Sequence, residues 1–404
     1  MDSPLQSPAQ FFAALVAAGM PEVPDEFTVV PRHQIVPRTT LADIARFIAV
    51  FDRVTSRAAW QAAAQRDAPP IAQLPRRETC FFSAWDFHLP AGGDCQLIEF
   101  NDNGSGFLFS AIINDAYYRA AGLAAQPAVV RPSTVPAFAS HLGRLVQAEA
   151  EAFLGERPRG VLLILDDADS LRDGKFRQEL VLLRDMFRGQ GWQAEVGCPA
   201  DTHWNGQNVL VHGQPVTFIV NRSTDFFWES DAFAGVRSGY EAGRLYVAPN
   251  PFTYVTRSDK RLLEWLSQRD WDGDLGIQPE EGRVLSAHIP ETHVVRADNV
   301  DMLAKGKQGF VFKPLHGFAG RGLLDSATVG RARLRRLVTQ RGGYVAQRVV
   351  QKSFMRIDGQ CVWTDLRVWA YRGKIFNVSG RGSCRPDRLE LTPPGGWLPT
   401  YVAG

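Results

Sequence analysis

From residue 160 onward, apolar runs of strand length alternate with amphipathic stretches of helix length, and this alternation constrains the fold most. "GVLLILDD" is a continuous apolar run that only a strand buried on both faces accommodates. "FRQELVLLRDMFRGQGW" follows with helical spacing, closed by Gly189 or Gly191. "QAEVGC" and "VTFIVNRSTDF" are further strands. Strand and helix in turn imply a parallel sheet, so the expected class is α/β (α+β).

The flanking regions read differently. Residues 8–65 carry helical patterning. "TLADIARFIAVFDRV" places Leu41, Ile44, Phe47, Ile48, Phe51 and Val54 on one face, with Thr40 as the expected N-cap. "ETCFFSAWDFHLP" and "DCQLIEFND" read as two strands joined by "PAGGD", and helices are expected over 107–120 and 134–155. "VAPNPFTY" marks a boundary. After it come the helix "DKRLLEWLSQ", the strand "GFVFKPL", a glycine-rich loop, the helix "VGRARLRRLVTQ" and the strand "YVAQRVV". A hairpin turning at Arg372-Gly373 follows. The expected divisions are 1–75 (helical), 76–158 (hairpin and helices), 159–248 (α/β) and 249–404.

Charge narrows the partners. Lys+Arg 45 against Asp+Glu 43 gives a formal net charge of +2, which does not favour nucleic acid or a membrane surface. "MDSPLQSPAQ" lacks the basic start of a signal peptide, and "FFAALVAAGM" is too short to span a bilayer. Cys80, Cys95, Cys198, Cys361 and Cys384 lie far apart with no CxxC spacing. They read as reduced thiols of a cytoplasmic protein without a zinc site.

Four segments carry chemistry. In the first, Glu99 and Asn101 share one strand face, and the hairpin brings Asp86 beside them. Such an oxygen-only set suits Mg²⁺. A calcium EF-hand is rejected, because counting from Glu99 the bidentate ligand position falls on Ser110. In the second, Lys313 ends a strand and precedes Gly317, Gly320, Arg321 and Gly322, a loop fit for an anion or simply a flexible turn. The third places Lys260 at a capped helix start, the usual setting of a solvated lysine. In the fourth, Asp365 and Arg367 share a strand face, either as an ion pair with each other or with Arg367 on a transferring phosphoryl group.

Together these segments resemble an ATP-grasp ligase. Asp259-Lys260 resembles its "DK" helix start and "FVFKP" its second lysine strand. "HGFAGRG" resembles its phosphate loop, "YVAQRVV" with Gln347 its adenine-facing strand, and Asp86…Glu99-x-Asn101 its D…E-x-N metal set. The metal element comes first rather than last. That order is similar to the circularly permuted branch, which includes glutathionylspermidine-synthase-like and eukaryotic-type glutathione-synthetase-like proteins. "WDFHLPAGGDCQLIEFNDNGSG" resembles their "DFHL…LIEINTNAGG" segment.

The resemblance implies a circularly permuted ATP-grasp fold over residues 78–404, with 159–248 as an accessory α/β domain. It implies a ligase that uses ATP and Mg²⁺ to join a small-molecule carboxylate to an amine or thiol through an acyl phosphate. Lys260, Lys313, Gly317, Gly320, Arg321, Gly322 and Gln347 would hold the nucleotide, and Asp86, Glu99 and Asn101 the metal. Arg367 would stabilise the transition state, and Asn103, Asn221 and Arg222 would reach the substrate. Gln347 stands where an acidic hinge residue is commoner, which keeps a non-catalytic nucleotide-binding scaffold as the alternative. A kinase is a third option. Whether the chain acts as a monomer or a homodimer is not written in its sequence.

Overall fold

The computed structural model describes residues 8–20, 28–78, 82–90, 94–126, 128–155, 159–268, 273–317, 322–324, 326–339, 342–357, 359–386 and 389–404. Four sheets organise them.

In the α/β region, Val161–Leu165 is buried at every residue, as its unbroken apolar run requires. It pairs in parallel with Gln193–Gly197 on one side and Gln214–Asn221 on the other. Tyr246–Ala248 adds a further parallel strand, and Thr202–Trp204 with Val209–Val211 extend the sheet antiparallel. The helix Arg177–Gly189 buries Leu180, Leu183 and Phe187, and Gly191, at φ +81°, supplies the left-handed turn behind it.

The largest sheet is antiparallel and draws on both ends of the chain. Its order is Ser353–Ile357, Gln360–Thr364, Lys374–Ser383, Leu366–Tyr371, Ser83–His88 and Gln96–Asn101, with Gly395–Leu398 paired to Lys374–Ser383. The hairpin at Arg372-Gly373 forms as expected, with positive φ at both residues. A three-stranded antiparallel sheet lies apart from it, in the order Thr292–Val294, Tyr344–Arg348, Phe310–Pro314.

The N-terminal helices form the back of the large sheet. Trp85 and Phe87 alternate with Asp86 along their strand and pack against Phe47 and Phe51 of the helix Arg38–Thr55. Trp85 also stacks on Phe100 at 3.8 Å. This helix begins at Arg38 with Pro37 at the cap position and no side-chain cap, so Thr40 lies inside it. The fixed φ of Pro37 sets the start three residues early. Residues 8–65 are also not purely helical. Gln34–Val36 is a strand pairing in parallel with Thr400–Val402, a pairing too short to leave a period. Similarly, the helix after Lys260 spans Leu262–Leu266, and the lysine precedes it. No helix among the described residues is long and apolar enough to cross a membrane.

Candidate functional site

The site is built on an irregularity in the hairpin. Asp86 faces Glu99 across the two strands, but Phe87 faces Leu97, so Ile98 has no partner in the ladder. Such a bulge frees a backbone carbonyl. The freed carbonyl of Ile98 accepts a hydrogen bond from Lys313 Nζ at 2.7 Å, and Gln347 Oε1 accepts a second at 2.6 Å. Lys313 comes from the separate three-stranded sheet, so this contact joins the two sheets.

Lys260 reaches the same place. Its ammonium donates to the carbonyls of Leu315 and Gly317, at the start of the glycine-rich loop. Burial pushes the Lys313 ammonium down to about 8, with Lys260 adding to the effect and the Glu99 and Asp86 carboxylates opposing it. Burial also lowers Lys260, against Glu99 and Asp259. Both lysines therefore share Glu99 as an electrostatic neighbour. Gly322 sits at φ +75°, with its α-carbon side against Pro314. Gly320 and Arg321 lie outside the described residues.

The third component is a quartet of charges. Asp86 also faces Arg367 on the neighbouring strand. Arg367 donates through Nε and Nη2 to its two oxygens, each at 2.6 Å. Arg381 donates a further bond to Asp86 at 2.9 Å and clamps Asp365 at 2.8 Å. Burial would raise the Asp86 carboxyl, but the two guanidiniums outweigh it and hold it below the usual carboxylate range. Asp365 thus pairs with Arg381, not Arg367, because Asp365 lies in the break between two strands. Arg381 was not singled out from the sequence; its spacing of two from Ser379, the cross-strand partner of Arg367, was the available signal.

The donor set divides accordingly. Both Asp86 oxygens are engaged by arginine, whereas among the described residues Glu99 and Asn101 form no side-chain hydrogen bond or ion pair and are only partly buried. Their hard oxygens fit Mg²⁺.

No family model matches the chain, and no curated protein is similar to it. Solved structures are. A glutathione synthetase-like effector from Globodera pallida, in its apo form, superposes with a TM-score of 0.58 over 98% of both chains at 9% identity. A putative gamma-glutamylcysteine synthetase from Methylobacillus flagellatus KT gives 0.50 over 89% of this chain and 86% of its own, at 10% identity. The chain has a mixed α/β, ATP-grasp-like fold.

Within this ATP-grasp-like fold, a narrow open cleft runs between the E-x-N strand and the α/β region, lined by Asn101, Asn103, Asn221, Ser223, Tyr254 and Lys260. Asn103 and Asn221 border the cleft but also knit its walls. Asn103 donates to the Ser223 carbonyl at 3.2 Å, and Asn221 donates to the Pro249 carbonyl at 3.0 Å. Arg222 does not open on it. At 3% exposure its guanidinium lies inside, 3.6 Å from the buried Glu179, with no hydrogen-bond partner among the described residues.

Asp102 is the residue sequence reasoning passed over. Buried beside Asn101, it accepts from Ser83, from Ser258 at 2.5 Å and from Arg257 at 3.2 Å. Ser258 is two residues before Lys260, so Asp102 ties the lysine segment to the Glu99 strand.

Proposed function

We propose that the chain is an ATP-dependent ligase that activates a small-molecule carboxylate as an acyl phosphate and passes it to an amine or thiol. The observation that carries this is Lys313 Nζ on the carbonyl of Ile98, the residue before Glu99, with Lys260 Nζ on the carbonyls of Leu315 and Gly317 just beyond Lys313, although the segments lie far apart in sequence. Two partly buried ammonium groups beside a free carboxylate suit a triphosphate with its metal. Mg²⁺ bound through Glu99 and Asn101 would neutralise phosphate charge.

Lys260 and Lys313 would exchange their carbonyl partners for phosphate oxygens as nucleotide enters. Gln347, on the strand Tyr344–Arg348, would lie towards the base. Arg367 is held through Nε and Nη2, which leaves Nη1 for charge developing on the transferred phosphoryl group. Placing the metal strand ahead of both lysines makes this a circularly permuted arrangement. The divisions at 75, 158 and 248 would be its domain limits.

One observation favours a second reading, a nucleotide-binding scaffold without turnover: both oxygens of Asp86 are committed to arginine. Incubation with ATP, Mg²⁺ and pools of amino acids, small peptides and polyamines separates the readings. The ligase forms ADP in at least one pool, and hydroxylamine traps its acyl phosphate as a hydroxamate. Tight ATP binding with no ADP in any pool supports the scaffold, and a stable phosphoester product supports a kinase.

A further inference from the structure

The hairpin at Arg372-Gly373 carries a second bulge. Ala370 faces Ile375 and Trp369 faces Asn377, so Phe376 has no partner in the ladder. On the other side of this strand, pairing begins only at Gly380. Residues Ile375 to Val378 are therefore a free edge of the large sheet among the described residues. A groove with room for about 210 Å³ lies along this edge. Phe138, Tyr401 and Val402 also line it, and it shares no lining residue with the nucleotide cleft. Ile375, Phe376 and Val378 stay partly exposed beside it. We propose that this groove is a second small-molecule site, which takes a carboxylate bearing one aromatic ring.

Size and wall chemistry argue for the ring. Packed proteins leave few voids larger than a water molecule, and an apolar cavity of about 150 Å³ already holds benzene. The polar groups along the edge are spent within the protein. Asn114 donates to the Val378 carbonyl at 2.8 Å and accepts from the Thr400 amide at 3.1 Å. Asn377 donates to the Phe107 carbonyl at 2.8 Å and the Ser110 hydroxyl at 2.6 Å, and its oxygen accepts from the Val378 amide at 3.0 Å. The amide and carbonyl of Val378 are thus both taken, which disfavours addition of a peptide strand to this edge. An aromatic ring asks for no such bonds and gains by displacing poorly bonded water.

The carboxylate follows from the rim. Arg131 lines the groove, is exposed, and makes no hydrogen bond or ion pair among the described residues. No acidic side chain lines the groove to compete for it. A guanidinium matches a carboxylate with two parallel hydrogen bonds. The assignment stands apart from the nucleotide reading, since neither lysine nor Glu99 takes part.

The test is a ligand-observed NMR titration of the full chain, without nucleotide, using phenylpropionate and its neutral analogue phenylpropionamide. Saturable binding of phenylpropionate is expected, with a Kd of about 1 mM or tighter, the scale for a ligand this small. The amide should bind about two- to fivefold more weakly, the worth of an exposed ion pair. Arg131→Ala should bring the carboxylate down to the level of the amide and leave the amide unchanged. Val130→Trp, at a rim position 38% exposed, should plug the groove against both, with the fold checked by circular dichroism. No binding by the folded wild type, equal affinity for the amide, or an affinity for phenylpropionate unchanged in Arg131→Ala or in folded Val130→Trp overturns the assignment.

Discussion

Lys313 donates its hydrogen bond to Ile98 at 2.7 Å, and Ile98 is the residue that the bulge leaves unpaired. The bulge thus holds the lysine over the Glu99 strand before any nucleotide is bound. Lys313 is lowered to about 8, so it is charged below that pH and neutral above it. An anionic ligand gains from the charged form. ATP affinity measured by calorimetry should therefore fall as pH rises through about 8, and Lys313→Met should weaken binding and flatten that dependence. A slope unchanged in Lys313→Met would place the titrating group elsewhere.

Asp86, itself buried, anchors two partly buried guanidiniums. Asp86→Asn leaves Arg367 and Arg381 with Asp365 as the remaining carboxylate of the quartet. Breaking a buried pair by removing one partner costs about 3–5 kcal/mol. Urea unfolding should show a loss of that order, with activity falling too as Arg367 loses its aim. A loss confined to activity would show that Asp86 serves the reaction and not the fold.

Asp102, at the wall of the cleft, bonds Ser258 and Arg257 beside Lys260. Asp102→Ala should lower stability by about 1.5–3 kcal/mol, the scale of a charged hydrogen bond. It should also weaken ATP binding, as Lys260 loses its fixed approach. Ser258→Ala should show the same pattern more mildly. Full ATP affinity in Asp102→Ala would mean that the lysine is positioned by its loop carbonyls alone.

Trp85 tests the backing of the site. It is fully buried between Phe51 and Phe100, on the face opposite Asp86. Trp85→Ala should cost about 3–5 kcal/mol in thermal or chemical unfolding. The effect would make the N-terminal helix part of the core behind the large sheet rather than an appendage.

What the sequence disclosed follows from physics that acts locally. The buried run Val161–Leu165, the alternation of Trp85, Asp86 and Phe87, and the turn at Arg372-Gly373 each leave a periodic or conformational mark. So does the shared face of Glu99 and Asn101, which two-residue spacing dictates. The rest arises from contacts between distant segments. Nothing near Ile98 announces a bulge, and the Lys313 bond that exploits it comes from another sheet. The Asp365–Arg367 pairing failed because Asp365 falls in a strand break that periodicity does not register. Arg222 looked available at a strand end, but its side chain turns inward toward Glu179, which is spent on capping the helix Phe107–Ala120. Cys95 and His288 are brought together only by the packing of the helix Pro279–His288 on the strand.

Calorimetric titration of the wild-type chain and Glu99→Gln with ATP, each with and without Mg²⁺, tests the central claim most directly. The wild type should bind ATP more tightly with Mg²⁺ present, and Glu99→Gln should lose that gain while keeping the metal-free affinity supplied by Lys260 and Lys313. Equal Mg²⁺ enhancement in both proteins, or no ATP binding by either, would contradict the account.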